Sequence, residues 1–451
     1  MKNSTWSRRD FLRIGTGAAG TAAAANFTLL RPKNVWASPQ PVAPSDTVRF
    51  ASIGTGVRGC ELLNATTHVP GIECVAVCDL YDSRHTAAQE AVKNPSVPAT
   101  RNYKEILDRK DVDAVIIAVP DHNHRRIFED ACAAGKDVYC EKPMSHTVED
   151  GFSMIEVAQK NNRIVQIGSQ RVSSIIYGQA KELWDSGQLG DVYHIEAYWD
   201  RNSPSGAWVY PIPPDASPQT IDWNSFLGNA PKRSFDPVRF FRWRCFTDYG
   251  EGLAGDLFVH LISGIHFVTG TNMVAKRAQS TGGLFHFKDG RDYPDLLETF
   301  YEYPNLRVYL RCNLMNDQGE FIGFYGTKGT AIIKGQSLTF TPQDTRPQPE
   351  GYSIYGWPAK LRNQYLADFA KDHPYTDVKV EEGTQVFGVP EGYSDVVDHQ
   401  IHFFNAVRSR KKVVENEEFG NNAALGCHLA NYSYFKQTPA VWDEKGKKIT
   451  S

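Results

Sequence analysis

A glycine-rich turn between a short apolar strand and a helix constrains this chain more than any other feature. Val48–Ile53 leads into Gly54-Thr55-Gly56-Val57-Arg58-Gly59, and helical sequence is expected from Glu61 onward. Glycines at these positions let the backbone turn tightly and approach a pyrophosphate, which then sits on the N-terminus of the helix. Asp79 ends the next expected strand, Glu73–Cys78, about twenty residues beyond Gly59, the place of an acid that binds ribose hydroxyls. The pattern points to a dinucleotide held by Gly54, Gly56, Val57, Arg58, Gly59 and Asp79. A carboxylate at Asp79 favours NAD because it repels a 2′-phosphate. Arg58 and Arg84 are near enough in sequence to leave NADP open.

Strands and helices then alternate. Helix is expected over Ser83–Val92, Arg125–Ala134 and Val148–Asn161, and strand over Asp113–Val119, Asp137–Cys140 and Ile164–Ile167. Such alternation builds a parallel, doubly wound sheet whose ligands lie at the carboxyl ends of the strands. Pro120 and His124 follow the third strand and Glu141 the fourth, so all three are candidate cofactor contacts. Lys142, fixed between Glu141 and Pro143 at the same edge, is a candidate acid/base. Beyond residue 170 the character changes. Val192–Trp199, Glu298–Tyr303, Arg307–Asn313, Glu320–Tyr325 and Thr330–Lys334 are aromatic and β-branched, which suggests a largely antiparallel sheet. Residues 203–240 and 340–395 are expected to be irregular, and Val397–Arg408 and Asn421–Tyr434 helical.

The N-terminus has its own logic. Ser7-Arg8-Arg9-Asp10-Phe11-Leu12 precedes a mild apolar run from Ile14 to Leu30 and a small-residue site at Val35-Trp36-Ala37. This is the pattern of a twin-arginine (Tat) signal peptide, and it predicts an exported, periplasmic protein. The expected organisation is signal peptide 1–37, Pro-rich linker 38–46, nucleotide-binding domain 47–169 and substrate domain 170–451. Formal charge is −3. Six basic residues against Asp10 in the signal leave a mature chain near about −8, which gives no reason to expect nucleic acid. No apolar run is long enough for a membrane span in the mature chain. The eight cysteines contain no CxxC pair, and those in apolar runs (Cys74, Cys78, Cys140) are expected to be buried thiols. No metal site stands out, because His122 with His124 and His260 with His266 lack further ligands.

Taken in order, the Gly54–Gly59 turn, Asp79 and Glu141-Lys142-Pro143 resemble the glucose–fructose oxidoreductase and inositol dehydrogenase (Gfo/Idh/MocA) family. The resemblance implies an α/β protein in two parts. One is an N-terminal Rossmann domain with a doubly wound parallel sheet; the other is a C-terminal α/β domain with an open, mainly antiparallel sheet. It implies further that Asp256-Leu-Phe-Val-His260 lies on a helix facing the cofactor, with Lys142 and His260 handling a hydroxyl proton and Asp256 bonding substrate or orienting the histidine. Many relatives carry an acid three residues after that histidine, where this chain has Ser263; His266 is a substitute ligand or core. Arg171, Arg244 and Tyr249 are candidate substrate contacts. The expected activity is NAD(P)-dependent oxidation of a sugar, glycoside or polyol hydroxyl. The alternative is a redox-neutral glycosidase, lyase or epimerase that uses tightly held NAD(H) transiently, although the Thr-His-Gly segment of the α-N-acetylgalactosaminidase branch is missing. A homo-oligomer is expected, and the C-terminal helices are expected to pack back on the Rossmann domain.

Overall fold

The computed structural model describes residues 26–30, 43–374 and 383–451. Most of the expected signal peptide and linker therefore lies outside the described residues.

Residues 48–167 form a six-stranded, all-parallel sheet. Its order is Ala99–Thr100, Ile72–Cys78, Val48–Ile53, Ala114–Ile117, Asp137–Cys140 and Val165–Ile167. Alternate residues of its central strands feed separate cores, which is why these strands read as unbroken apolar runs. Val115 and Ile117 bury with Ile127, Phe128 and Met154 on one face. Ala114 and Ile116 bury with Leu62, Leu63, Phe403 and Phe404 on the other. Phe403 and Phe404 belong to the helix Asp395–Ser409, so the C-terminal part of the chain completes the core of the N-terminal sheet. The first helix begins at Val57, not at Glu61, because Gly56 serves as its N-cap.

The second sheet has eleven strands among the described residues and is antiparallel except at two pairings. Val192–Asp200 runs parallel to Arg307–Asn313, and Asn26–Leu29 runs parallel to Gln385–Gly388 at the edge. That edge strand falls within the apolar run assigned to the signal. The helices Ile175–Asp185, Val259–Thr269 and Glu417–Lys436 share the core on one face of this sheet. The opposite face is open and aromatic: Tyr198 stacks on Phe321 at 4.7 Å, and Phe300 meets Tyr309 at 4.8 Å. The stretch 340–395, expected to be irregular, holds the helix Ala359–Asp372 and the edge strand Gln385–Gly388. No residue of that helix is buried, so it has no core-facing stripe for sequence periodicity to reveal. All eight cysteines are free thiols, with Cys78 and Cys140 buried and Cys74 partly so. Among the described residues, no helix is long and apolar enough to cross a membrane.

Candidate active site

A cleft of about 1440 Å³ runs along the carboxyl edge of the parallel sheet and is closed by segments of the second domain. Its N-terminal wall is the glycine turn. Gly54 has a φ of +87°, and a Cβ there would stand 2.5 Å from the Ala118 carbonyl oxygen. A Cβ at Gly59 would stand 2.1 Å from the Gly54 carbonyl oxygen, so the helix can follow the strand this closely only with glycine. The helix Val57–Thr66 has no side-chain cap, which leaves its first N–H groups for an anion. Gly56, Val57 and Arg58 line the cleft there. Asp79 fixes the turn through both carboxylate oxygens, accepting from Thr55 N at 2.7 Å and Tyr81 N at 3.0 Å. Arg84 pairs with Asp79 at 3.4 Å and lies over the Phe240 and Phe241 rings. Arg58 turns the other way, its Nε donating to Glu141 at 2.7 Å. A bare glycine cradle, an uncapped helix and a carboxylate at the second strand's end fit a dinucleotide.

At the other end of the cleft, Lys142 and Asp256 meet across the two domains. Lys142 Nζ donates to Asp256 Oδ1 and to the Asp256 carbonyl, both at 2.8 Å. Asp256 sits in a π-helical turn, Ala254–Phe258, that runs into the helix Val259–Thr269. Arg244 Nε also donates to its Oδ1 (3.1 Å), and Trp208 Nε1 to Oδ2 (3.0 Å). Burial alone would raise the Asp256 carboxyl; Lys142, then Arg244 and Arg201, pull it well below the ordinary carboxylate range. Asp256 thus clamps Lys142, and no bond joins it to His260 among the described residues. His260 is the open group. Its Nδ1 is buried without a partner, and neither ring nitrogen bonds a described residue. Burial, then the charges of Lys142 and Arg171, hold its pKa well below 6.5, so the ring is a neutral imidazole at neutral pH.

Gly54, Gly56, Val57, Arg58, Asp79, Pro120, Glu141, Lys142, Arg244, Asp256 and His260 all line this one cleft. Four expected contacts do not. Gly59 acts through packing beneath the turn. His124 is buried between the carbonyls of Pro143 and Val119, 2.9 Å from each, and ties together the loops that carry Lys142 and Pro120. Arg171 is committed to Glu320 (2.5 Å) and Asp395 (2.9 Å). Tyr249 is fully buried against His122 and Phe226. His266 is core, bonded to the Tyr303 hydroxyl at 3.0 Å. Ser263 bonds Ser169 at 2.5 Å. Sequence reasoning missed Trp199, Arg201, Trp208, Tyr210 and Trp243. Trp208 holds a φ of +60°, rare for a bulky residue, where its indole reaches Asp256.

Residues 48–169 match a family described as an oxidoreductase family with an NAD-binding Rossmann fold. That segment is thus similar to the NAD-binding Rossmann domains of Gfo/Idh/MocA oxidoreductases. Among curated relatives, inositol 2-dehydrogenase of Salmonella typhimurium is 36% identical over 148 residues, which is 32% of this chain and 43% of that one. The chain thus covers less than half the length of that relative. Glycosyl hydrolase family 109 protein 1 of Phocaeicola vulgatus is 24% identical over 381 residues, or 79% of this chain and 75% of that one. Of solved structures, levoglucosan dehydrogenase in complex with NADH and levoglucosan superposes with a TM-score of 0.62 at 16% identity, covering 87% of this chain and 98% of that one. An oxidoreductase domain protein from Kribbella flavida gives 0.65 at 16%, covering 88% and 100%. At 16% identity these two likenesses concern the fold alone. Asp79→Ala is expected to weaken NAD binding about tenfold and NADP binding much less, because the carboxylate serves the ribose of NAD alone. Titrations with both dinucleotides check this, and equal weakening would reduce Asp79 to a brace of the turn.

Proposed function

We propose that the protein is an exported NAD-dependent oxidoreductase that takes hydride from a hydroxyl-bearing carbon of a sugar, glycoside or polyol. The observation that carries this reading is His260, a neutral, unpartnered imidazole, beside the Lys142–Asp256 pair in the cleft that holds the glycine cradle. Lys142 meets the substrate oxygen with a positive charge and stabilises the negative charge that develops there. His260 accepts the hydroxyl proton. Asp256, Arg244 and Trp208 keep Lys142 in place and take no proton themselves. Bound NAD supplies the hydride acceptor. The inositol and levoglucosan dehydrogenases named above support a sugar or polyol substrate.

A second reading is favoured by the longer match to the glycosyl hydrolase family 109 protein. In it the same hydride is returned after elimination across the adjacent carbon, with no net oxidation. Incubation with NAD+ and a panel of sugars, polyols and aryl glycosides separates the two. Reduced NAD rising in step with oxidised sugar supports the first; product without reduced NAD supports the second.

Export follows from the twin arginines at Arg8 and Arg9, and a homo-oligomer from the open aromatic face that carries Tyr198, Phe300, Tyr309 and Phe321. Cleavage after Ala37 would also remove Asn26–Leu29 from its pairing with Gln385–Gly388. The acid side of the pH–rate profile follows from His260. A base whose pKa is depressed stays deprotonated as pH falls through 6.5, so oxidation is expected to hold its rate there and decline only at lower pH. A profile of kcat/KM between pH 4 and 9 tests this; a limb centred at or above 6.5 would remove His260 as the base.

A further inference from the structure

The sugar end of the cleft carries more positive charge than its own carboxylates balance. Arg201 follows the strand Val192–Asp200 and lies over the Trp199 ring, with Cζ 4.7 Å from the centroid. Its guanidinium makes no hydrogen bond or ion pair with any described residue. Arg244 lies over Trp243 at 4.2 Å and gives only its Nε to Asp256, so its terminal amino groups are uncommitted. Lys142 is a third cation in the same group, which lines one cleft with Tyr210 and His260. Against the three stands Asp256, whose two oxygens are already taken. Asp121, the other carboxyl at this end, is pushed well above its ordinary value by burial and then by Glu251, which favours its neutral form. Acids elsewhere along the cleft have their own partners: Glu141 has Arg58, Asp79 has Arg84, and Asp130 accepts from the Tyr103 hydroxyl at 2.6 Å.

A guanidinium lying over an indole keeps its in-plane N–H groups for a planar acceptor, and a carboxylate takes two of them at once. The rings of Trp199, Trp243 and Tyr210 supply apolar surface for the C–H face of a pyranose. We propose that the substrate is an acidic sugar whose carboxylate is read by Arg201 and the free edge of Arg244. The proposal rests on the sugar-oxidoreductase reading above and names the substrate class of that site.

The test is calorimetric titration of the NAD-loaded protein with hexuronates of gluco, galacto and manno configuration, their neutral hexoses and the hexose 6-phosphates. At least one uronate is expected to bind about 30-fold tighter than its parent hexose. Arg201→Gln is expected to shrink that preference to about threefold or less. Since the Arg201 guanidinium bonds no described residue, loss of structure is not the expected result of this change, and unfolding curves of the variant check that. Uronates that bind no tighter than their hexoses overturn the proposal, as does tighter binding of the phosphates or a preference unchanged in Arg201→Gln. Uronates bound with the expected preference that never reduce NAD would instead contradict the oxidoreductase reading and leave the charge reading standing.

Discussion

Lys142→Ala is expected to lower kcat by about a thousandfold while NAD affinity stays within about threefold of the parent protein. Lys142 bridges the Rossmann edge and Asp256, and its ammonium is held by two acceptors at 2.8 Å. It lies outside the glycine turn and the Asp79 carboxylate, so the dinucleotide keeps its cradle. Its removal leaves the Asp256 carboxylate with Arg244 and Trp208, two of the three donors bonded to it. Lys142→Arg is expected to restore little, because a planar fork cannot place a point charge against both the Asp256 carbonyl and the substrate oxygen. Single-turnover rates alongside NAD titration check both halves. A variant with near-parental turnover would remove Lys142 from the chemistry; one that loses NAD binding as well would make it a structural strut.

Asp256→Ala is expected to cost about 3 kcal/mol of stability as well as about a hundredfold in turnover. The side chains of Lys142 and Asp256 are only 10% and 15% exposed, so solvent does little to replace the lost partner. Without the carboxylate, Lys142, Arg244 and Arg201 repel one another, and the Trp208 indole loses the acceptor that holds its left-handed backbone in place. Asp256→Asn keeps an oxygen for Trp208 but not the charge, and should recover part of the stability and little of the rate. Urea unfolding of the three proteins measures the first effect, and steady-state kinetics the second. An alanine variant as stable as the parent would show that the cluster is not held by this carboxylate.

The Rossmann half was legible because its signals are local. Ala114–Ile117 is apolar at every position since both faces of that strand are covered, and the glycine turn and Asp79 are spaced by the βαβ unit itself. The second domain was legible in outline from its aromatic strands. What escaped is what depends on contacts between distant residues. Arg171 looked available until Glu320 and Asp395, far along the chain, claimed its guanidinium. Tyr249 sits in a polar segment, yet Phe226 and His122 enclose it. Trp208 shows no local sign of reaching Asp256, 48 residues away. Ala359–Asp372 follows Pro342, Pro347, Pro349 and Pro358, and packs no face into a core, so neither capping nor periodicity marked it.

On the proposed reading, hydride passes from a sugar carbon to NAD in the cleft between Lys142 and His260. The most direct test is to turn over a substrate deuterated at the reacting carbon, quench, and weigh the cofactor by mass spectrometry. Reduced NAD one mass unit heavier is expected, with its formation slowed by the isotope and about a thousandfold slower in Lys142→Ala. Product that forms while the cofactor never acquires the label would contradict that reading.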